Sequence, residues 1–247
     1  MFMTAQLTLI KVYLRLILAL LGFLITSIPA AKANGAELTS YGHSSILIKG
    51  EGKKILLNPF KSFGCTEGLK EPNLKVNVIL ASSQLADEGA RVAKGLFLFE
   101  PGSYRIGKLR IEGFPVDHDR LGGRRFGQGV VWQWEQSGLS FAHLGGAAAP
   151  LNQQEKILLG RPDVLFIAVG GGPKVYNPQE AVNVIKDLNP KRIIPVQYFT
   201  KFSSKECELK PIQSFLDLMA DTKVKKVGNT YTFPRSISDD LQIILFE

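Results

Sequence analysis

Two runs constrain this chain most: VLFIAV at residues 164–169 and IIPV at 193–196. Neither alternates polar with apolar residues, so each reads as a strand covered on both faces, the pattern of a parallel sheet with layers above and below it. The segment between them supplies one such layer. Asn177 caps a helix there, Pro178 suits its first position, and Ala181, Val184, Ile185 and Leu188 recur at helical spacing. Disorder, collagen and coiled coil are excluded by a composition of 45% hydrophobic and 21% charged residues, which leaves a core to fill.

Ahead of this unit lie short β-rich runs at 45–49, 54–57, 76–81, 96–99, 109–114, 130–136 and 140–143, separated by Gly, Pro or charged turns. Behind it, Pro211 opens a helix with Ile212, Phe215, Leu216 and Met219 on one face. Residues 223–227 and 230–233 flank Gly228-Asn229, a two-residue hairpin signal. Strands first, then strand and helix in alternation, predict an α/β (α+β) fold: two packed sheets with helices outside.

The first 33 residues are of another kind. Lys11 and Arg15 precede the apolar run LILALLGFLITSI at 16–28, followed by Pro29 and Ala31-Lys32-Ala33. This is the layout of an export signal, 1–33, cleaved after Ala33, with one domain over 34–247. An uncleaved anchor or a buried helix is the other reading, although the run is short of the roughly 20 residues that span a bilayer. No later segment is long enough to span. The expected location is an exporting compartment, the periplasm or, in a photosynthetic host, the thylakoid lumen.

Formal charge is +8, but without the three basic residues of the leader the balance is 27 against 22. Those charges are scattered and not interleaved with aromatics, which argues against nucleic acid as a partner. An anionic small molecule or a protein partner suits the mild excess. No Ser stands in a G-x-S-x-G elbow, and Gly170-Gly171-Gly172 lacks the Lys-Ser/Thr ending of a phosphate loop, so it reads as chain turning. Imidazole and thiol ligands are scarce, three histidines, His43, His118 and His143, and two cysteines, Cys65 and Cys207, which limits any metal site. In an oxidising compartment two such thiols tend to pair.

Taken in order, YGHSS at 41–45, KILLNPF at 54–60, FAHLGG at 141–146, DVLFIAVGGG at 163–172 and IPVQY at 194–198 resemble the metallo-β-lactamase superfamily, in particular its short, single-domain hydrolase-like branch. The resemblance runs from about Leu38 to Lys201. It implies an αββα sandwich of two mixed β-sheets flanked by helices, with a metal site along one edge. It also implies that the loops after Pro59 and Gln197 meet at that edge, and so a Cys65–Cys207 disulfide.

The same resemblance implies seven ligand positions, the first four in a Thr-His-x-His-x-Asp-His motif. The matching stretch here is SSQLADE at 82–88: Asp87 keeps its type, while Ser83, Leu85 and Glu88 replace histidines. His118 is retained, Gly146 stands where a bridging aspartate is expected, Gln197 replaces the last histidine, and Asn58 replaces an aspartate nearby. Two of seven positions therefore keep their residue type. Asp87, Glu88, His118 and His143 remain as candidate ligands for a single divalent ion, an oxygen-rich set that suits a weakly held, harder metal. The alternative is that Asp87 and Glu88 cap a helix after their strand and that the histidines hydrogen-bond within a polar edge. Arg120, Arg124 and Arg125 are candidates for gripping an anion, or for pairing with Asp117 and Asp119. The expectation is an exported pseudoenzyme without a cofactor, acting as a binding or assembly module. The other reading is a residual metallo-hydrolase for an ester, lactone or phosphoester.

Overall fold

The computed structural model describes residues 35–247, so the expected export signal and its cleavage point lie outside the described residues. Fourteen strands form two sheets: β1 (Glu37–Gly42), β2 (Ser45–Gly50), β3 (Lys53–Leu57), β4 (Lys75–Leu80), β5 (Lys94–Leu98), β6 (Gly102–Ile106), β7 (Leu109–Asp117), β8 (Gln128–Gln136), β9 (Leu139–His143), β10 (Val164–Ala168), β11 (Arg192–Val196), β12 (Lys223–Val227), β13 (Thr230–Thr232) and β14 (Gln242–Phe246). Among the described residues helices are few: α1 (Gln153–Leu159), α2 (Pro178–Leu188) and α3 (Gln213–Leu216), with 3-10 turns at Gly64–Thr66 and Asp217–Met219. Among the described residues no helix is long and apolar enough to cross a membrane.

One sheet has six strands in the order β13-β1-β2-β3-β4-β5, the other eight in the order β12-β14-β11-β10-β9-β8-β7-β6. The continuously apolar runs form β10 and β11, which pair in parallel at the middle of the larger sheet, and every residue of both is buried. Two faces must then be covered. On the inner face the sheets share a core that includes Leu38, Ile55, Leu80, Trp132, Phe141, Phe166 and Phe233. On the outer face, Leu165 and Ile167 meet Ala181, Val184, Ile185 and Leu188 of α2 and Phe215 of α3. Asn177 caps α2 by accepting from the Glu180 amide, and Glu180 returns the bond to the Asn177 amide. Both sheets are mixed, as expected, and the flanking helices lie on the larger one. The outer face of the smaller sheet carries Leu47, Leu56 and Ile79 under loop residues such as Leu74 and Ala93.

Three local expectations are corrected. No helix follows β4, because residues 82–89 form successive turns; Asp87 and Glu88 therefore cap nothing. The helix expected from Pro211 begins only at Gln213, since Pro211 pairs with Phe199 in an isolated bridge. Gly228-Asn229 does not close a hairpin. Strand β12 pairs with β14 and β13 with β1, so this turn carries the chain from one sheet to the other. Lys223, Lys225 and Lys226 keep β12 exposed at an edge, whereas Phe233 is buried between the sheets.

Candidate functional site

The site edge collects the loops that follow the carboxyl ends of β3, β4, β7, β9, β10 and β11. These bring Asn58, the turn 82–88, His118, Gly145-Gly146, Lys174 and Gln197 to one end of the sandwich, beside His43 in the β1–β2 turn. Three non-glycine residues here, His43, Asn58 and Gln197, hold left-handed backbone at φ of 55°, 38° and 50°. Such conformations cost on the order of 1–3 kcal/mol each and persist only where the surroundings enforce them. The enforcement is visible: the His43 carbonyl accepts from the Gln197 amide at 3.1 Å, and the Leu80 carbonyl from the Asn58 amide at 2.9 Å.

At the centre stands Lys174, which no sequence motif singles out. Its ammonium donates to both oxygens of Asp87, at 2.6 and 2.5 Å, and lies 3.7 Å from Glu88 Oε1. Glu88 is fully buried, with Oε1 2.8 Å from His118 Nε2, an ion-pair distance outside hydrogen-bond alignment, and Oε2 accepting from Gln197 Nε2 at 3.5 Å. His43 Nε2 is 3.8 Å from Asp87 Oδ2 and 3.4 Å from Gln197 Nε2. Burial works against the charge of Asp87, yet the His43 imidazole and the Lys174 ammonium outweigh it and hold the carboxyl well below the usual range. Glu88 is lowered too, burial being outweighed by His118 and Lys174. Burial also opposes the Lys174 charge, but Glu88 and Asp87 raise its pKa. These two acids and their lysine are thus charged together across the neutral range.

The remaining polar atoms form a second bracket. Asn58 Nδ2 donates to Ser44 Oγ at 3.2 Å and Ser82 Oγ at 3.0 Å, while Asn58 Oδ1 accepts from the Ser82 amide at 2.8 Å. An aspartate has no proton to donate in this way, which accounts for the amide. His143 Nε2 is 3.4 Å from Ser82 Oγ and makes no ion-pair contact with Asp87 or Glu88; burial lowers its pKa to about 4, against a smaller opposing pull from Glu88. Ser83 Oγ accepts from the Leu85 amide at 3.1 Å, so its oxygen belongs to the turn. A side chain begun at Gly146 would meet Ser82 Cβ at 2.8 Å, His118 Nε2 at 3.5 Å and Glu88 Oε2 at 3.6 Å.

A family model for the beta-lactamase superfamily domain matches residues 37–197, well over half of the chain. The chain belongs to the metallo-β-lactamase superfamily. Among solved structures, a candidate zinc-dependent hydrolase of the superfamily from Thermotoga maritima is similar at 27% identity and a TM-score of 0.68, covering 86% of this chain and 100% of its own. An isothiocyanate hydrolase from Delia radicum gut bacteria shares the fold at 13% identity and a TM-score of 0.59, over 84% and 95%. A candidate metal-dependent hydrolase from Parabacteroides distasonis does so at 16% and 0.56, over 84% and 92%. A search of curated proteins finds no match.

Measured against a metallo-β-lactamase metal centre, the residues present do not fit a metal ion. Among the described residues no three His, Cys, Asp or Glu converge as a ligand set. Asp87 is claimed by an ammonium, Glu88 by His118, and Leu85 and Gly146 offer no donor. Of the candidate ligands, Glu88 contacts His118, Asp87 is linked to Glu88 through Lys174 and lies near His43, and His143 stands apart with Ser82. Lys174 lies in the loop after the buried strand β10, behind Gly170–Gly172 and Pro173, and no motif in the sequence marks it as turning inward.

The arginines lie elsewhere. Arg120 donates to both carboxylate oxygens of Glu180, at 2.8 and 2.6 Å, and to the carbonyls of Gly172 and Val175. It therefore ties its loop to α2 and does not pair with Asp117 or Asp119. Asp119 instead accepts four amide protons, from Leu121, Gly123, Arg125 and Phe126. Arg124 donates to the Leu121 carbonyl, and Arg125 lies over the Phe126 ring. Cys65 and Cys207 form a disulfide, and the 210 Å³ cavity beside it reaches Asp87, Lys174 and Gln197.

Proposed function

We propose that this protein is an exported binding module that keeps the metallo-β-lactamase scaffold without its hydrolytic metal chemistry. One observation carries the reading: the Lys174 ammonium, 2.5–2.6 Å from both oxygens of Asp87 and 3.7 Å from Glu88, supplies from the chain itself the positive charge that a metal would supply. An ammonium gives no open coordination position and no activated water, so the metal-assisted hydrolysis of the fold has no counterpart here. Export to the periplasm or thylakoid lumen is supported by the leader and by the Cys65–Cys207 bridge, a pairing that lasts in oxidising compartments.

The binding surface we assign is a groove of about 790 Å³ that opens at His43 and runs along Tyr41, Tyr198 and Phe202. Its volume is that of a small-molecule site. Exposed Lys70 and Lys201 line it and have no carboxylate partner among the described residues, whereas Lys226 is paired with Glu247 at 2.8 Å. An apolar body carrying one anionic head matches that lining. The test is calorimetric titration of the purified protein with decanoate and with naphthalene-1-sulfonate. Binding that weakens about tenfold in Lys70→Ala/Lys201→Ala is expected, the loss of roughly one charge-assisted contact. No heat up to millimolar concentrations of both probes would overturn the ligand assignment.

A further inference from the structure

Basic residues that are scattered along the sequence are gathered by the fold at one corner, at the end of the sandwich opposite the site edge. Strands β3, β4 and β5 run parallel, and their amino ends carry Lys54, Lys75 and Lys94, all exposed. The β6–β7 turn adds Arg105, Lys108 and Arg110 from the larger sheet, also exposed. A side chain begun at Gly107 would lie 4.0 Å from Lys53 Nζ, which sets that turn against the start of β3. The charges oppose one another: Lys75 stands in register with Lys94, and Arg105 with Arg110. Like charges so placed cost stability. The acids within reach are engaged elsewhere, Glu51 with Arg235, Glu37 with Lys49, and Glu112 as acceptor from Ser103 Oγ. Glu135 lies on β8 beside β7, yet among the described residues none of these cations is paired with any carboxylate. Leu96, two residues on from Lys94 on the edge strand β5, is half exposed.

We infer that this corner docks on an anionic lipid surface. Its occupant must offer several negative charges over a broad front, because the cations come from both sheets and a turn and surround a corner, not a groove. Among the described residues no exposed aromatic side chain stands there, as stacking on single-stranded nucleic acid requires; Tyr104 is half-buried, its hydroxyl donating to the Glu100 carbonyl. The corner is built of strands and a turn, with no helix to enter a major groove. Leu96 supplies the apolar contact that a headgroup layer takes in beside basic side chains. Each Lys or Arg close to such a surface is worth about fivefold in partitioning, and the attraction is screened by salt. Docked in this way, the protein turns its site edge away from the bilayer. The inference does not depend on the groove assigned above.

The experiment is co-sedimentation of the purified full chain with vesicles of phosphatidylglycerol and phosphatidylcholine in equal parts, and with phosphatidylcholine alone. It compares wild type with Lys94→Glu/Arg110→Glu, which turns both like-charge pairs into opposite-charge pairs and should melt no lower than wild type. The apolar leader is common to both proteins, so the difference between them reports the corner. Wild type should favour the anionic vesicles at least about 20-fold at low salt and lose most of that preference near about 1 M salt, and the variant should bind them at least about 20-fold more weakly. Equal binding by the two proteins, or no preference of wild type for anionic vesicles, overturns the inference. So does a wild type that leaves vesicles in solution but is retained by polyglutamate or duplex DNA, which assigns the corner to an acidic protein or a nucleic acid. If the variant melts lower, Lys75→Gln/Arg105→Gln takes its place; a loss of at least about fivefold supports the inference and an unchanged affinity refutes it.

Discussion

Replacing both cysteines tests how the long loops of this chain are held. Cys65 and Cys207 are 142 residues apart in sequence and their Cα atoms are 4.9 Å apart, within the ordinary range for a bridge. In the chain-entropy model a closed loop of that length removes about 17 cal/mol/K from the unfolded ensemble, or about 5 kcal/mol at 25 °C. A domain of this size unfolds with an entropy of roughly 0.45 kcal/mol/K, so Cys65→Ser/Cys207→Ser should melt roughly 10 °C below the oxidised wild type. Differential scanning calorimetry at several scan rates measures this, and alkylation before and after reduction shows whether wild type carries free thiols. A fall of less than about 3 °C would refute the loop-entropy reasoning. It would mean that the 3-10 turn at Gly64–Thr66 and the segment after β11 hold together without the bridge, through contacts such as the Gly68 amide donating to the Phe202 carbonyl.

His143 favours its neutral form when folded, with a pKa of about 4 against 6.5 in a free side chain, so the unfolded chain takes up the extra proton in between. Stability should therefore fall as pH drops from about 6.5 towards 4, by about 2–3 kcal/mol at pH 4.5, and urea midpoints should lose that slope in His143→Gln; equal slopes would contradict it. Asp87 acts lower on the scale: its depressed pKa adds stability that is present above about 3.8 and is lost as pH falls through its folded value, so Asp87→Asn should flatten acid unfolding below pH 4. Gly146→Asp, which restores the superfamily's residue, should destabilise by at least about 2 kcal/mol in urea titrations, since Cβ meets Ser82 at 2.8 Å and the new carboxylate faces Glu88; a variant as stable as wild type would refute the packing account. Arg120→Ala should cost about 1 kcal/mol, discounted for its part exposure, and Arg120→Lys should recover little of it because a lysine lacks the planar fork that meets both Glu180 oxygens.

The layering was legible wherever local pattern and global burial agree. Residues 164–169 and 193–196 have no polar face, and Asn177-Pro178 marks the start of α2, so that part of the fold follows from periodicity. That Ser83, Leu85, Gly146 and Gln197 fall in loops after strands of this edge was legible from the order of the motifs. Partner choice over long separations was not. Lys174 lies 87 positions from Asp87, and nothing in GGGPK says that the lysine turns inward. Arg120 stands beside two aspartates but bonds Glu180, 60 positions away, since Asp119 is fully used by backbone amides. Gly228-Asn229 carries a sound local hairpin signal, overridden because β14 and β1 offer the two strands better partners in different sheets.

The most direct test of the central claim is the metal content of wild-type protein, produced with zinc, manganese and iron available, dialysed and analysed by plasma mass spectrometry. The account predicts well under one equivalent of any metal, the same in wild type and in Asp87→Ala. One or two equivalents that vanish in Asp87→Ala would contradict it, and would return this chain to the metal-dependent hydrolases of its superfamily.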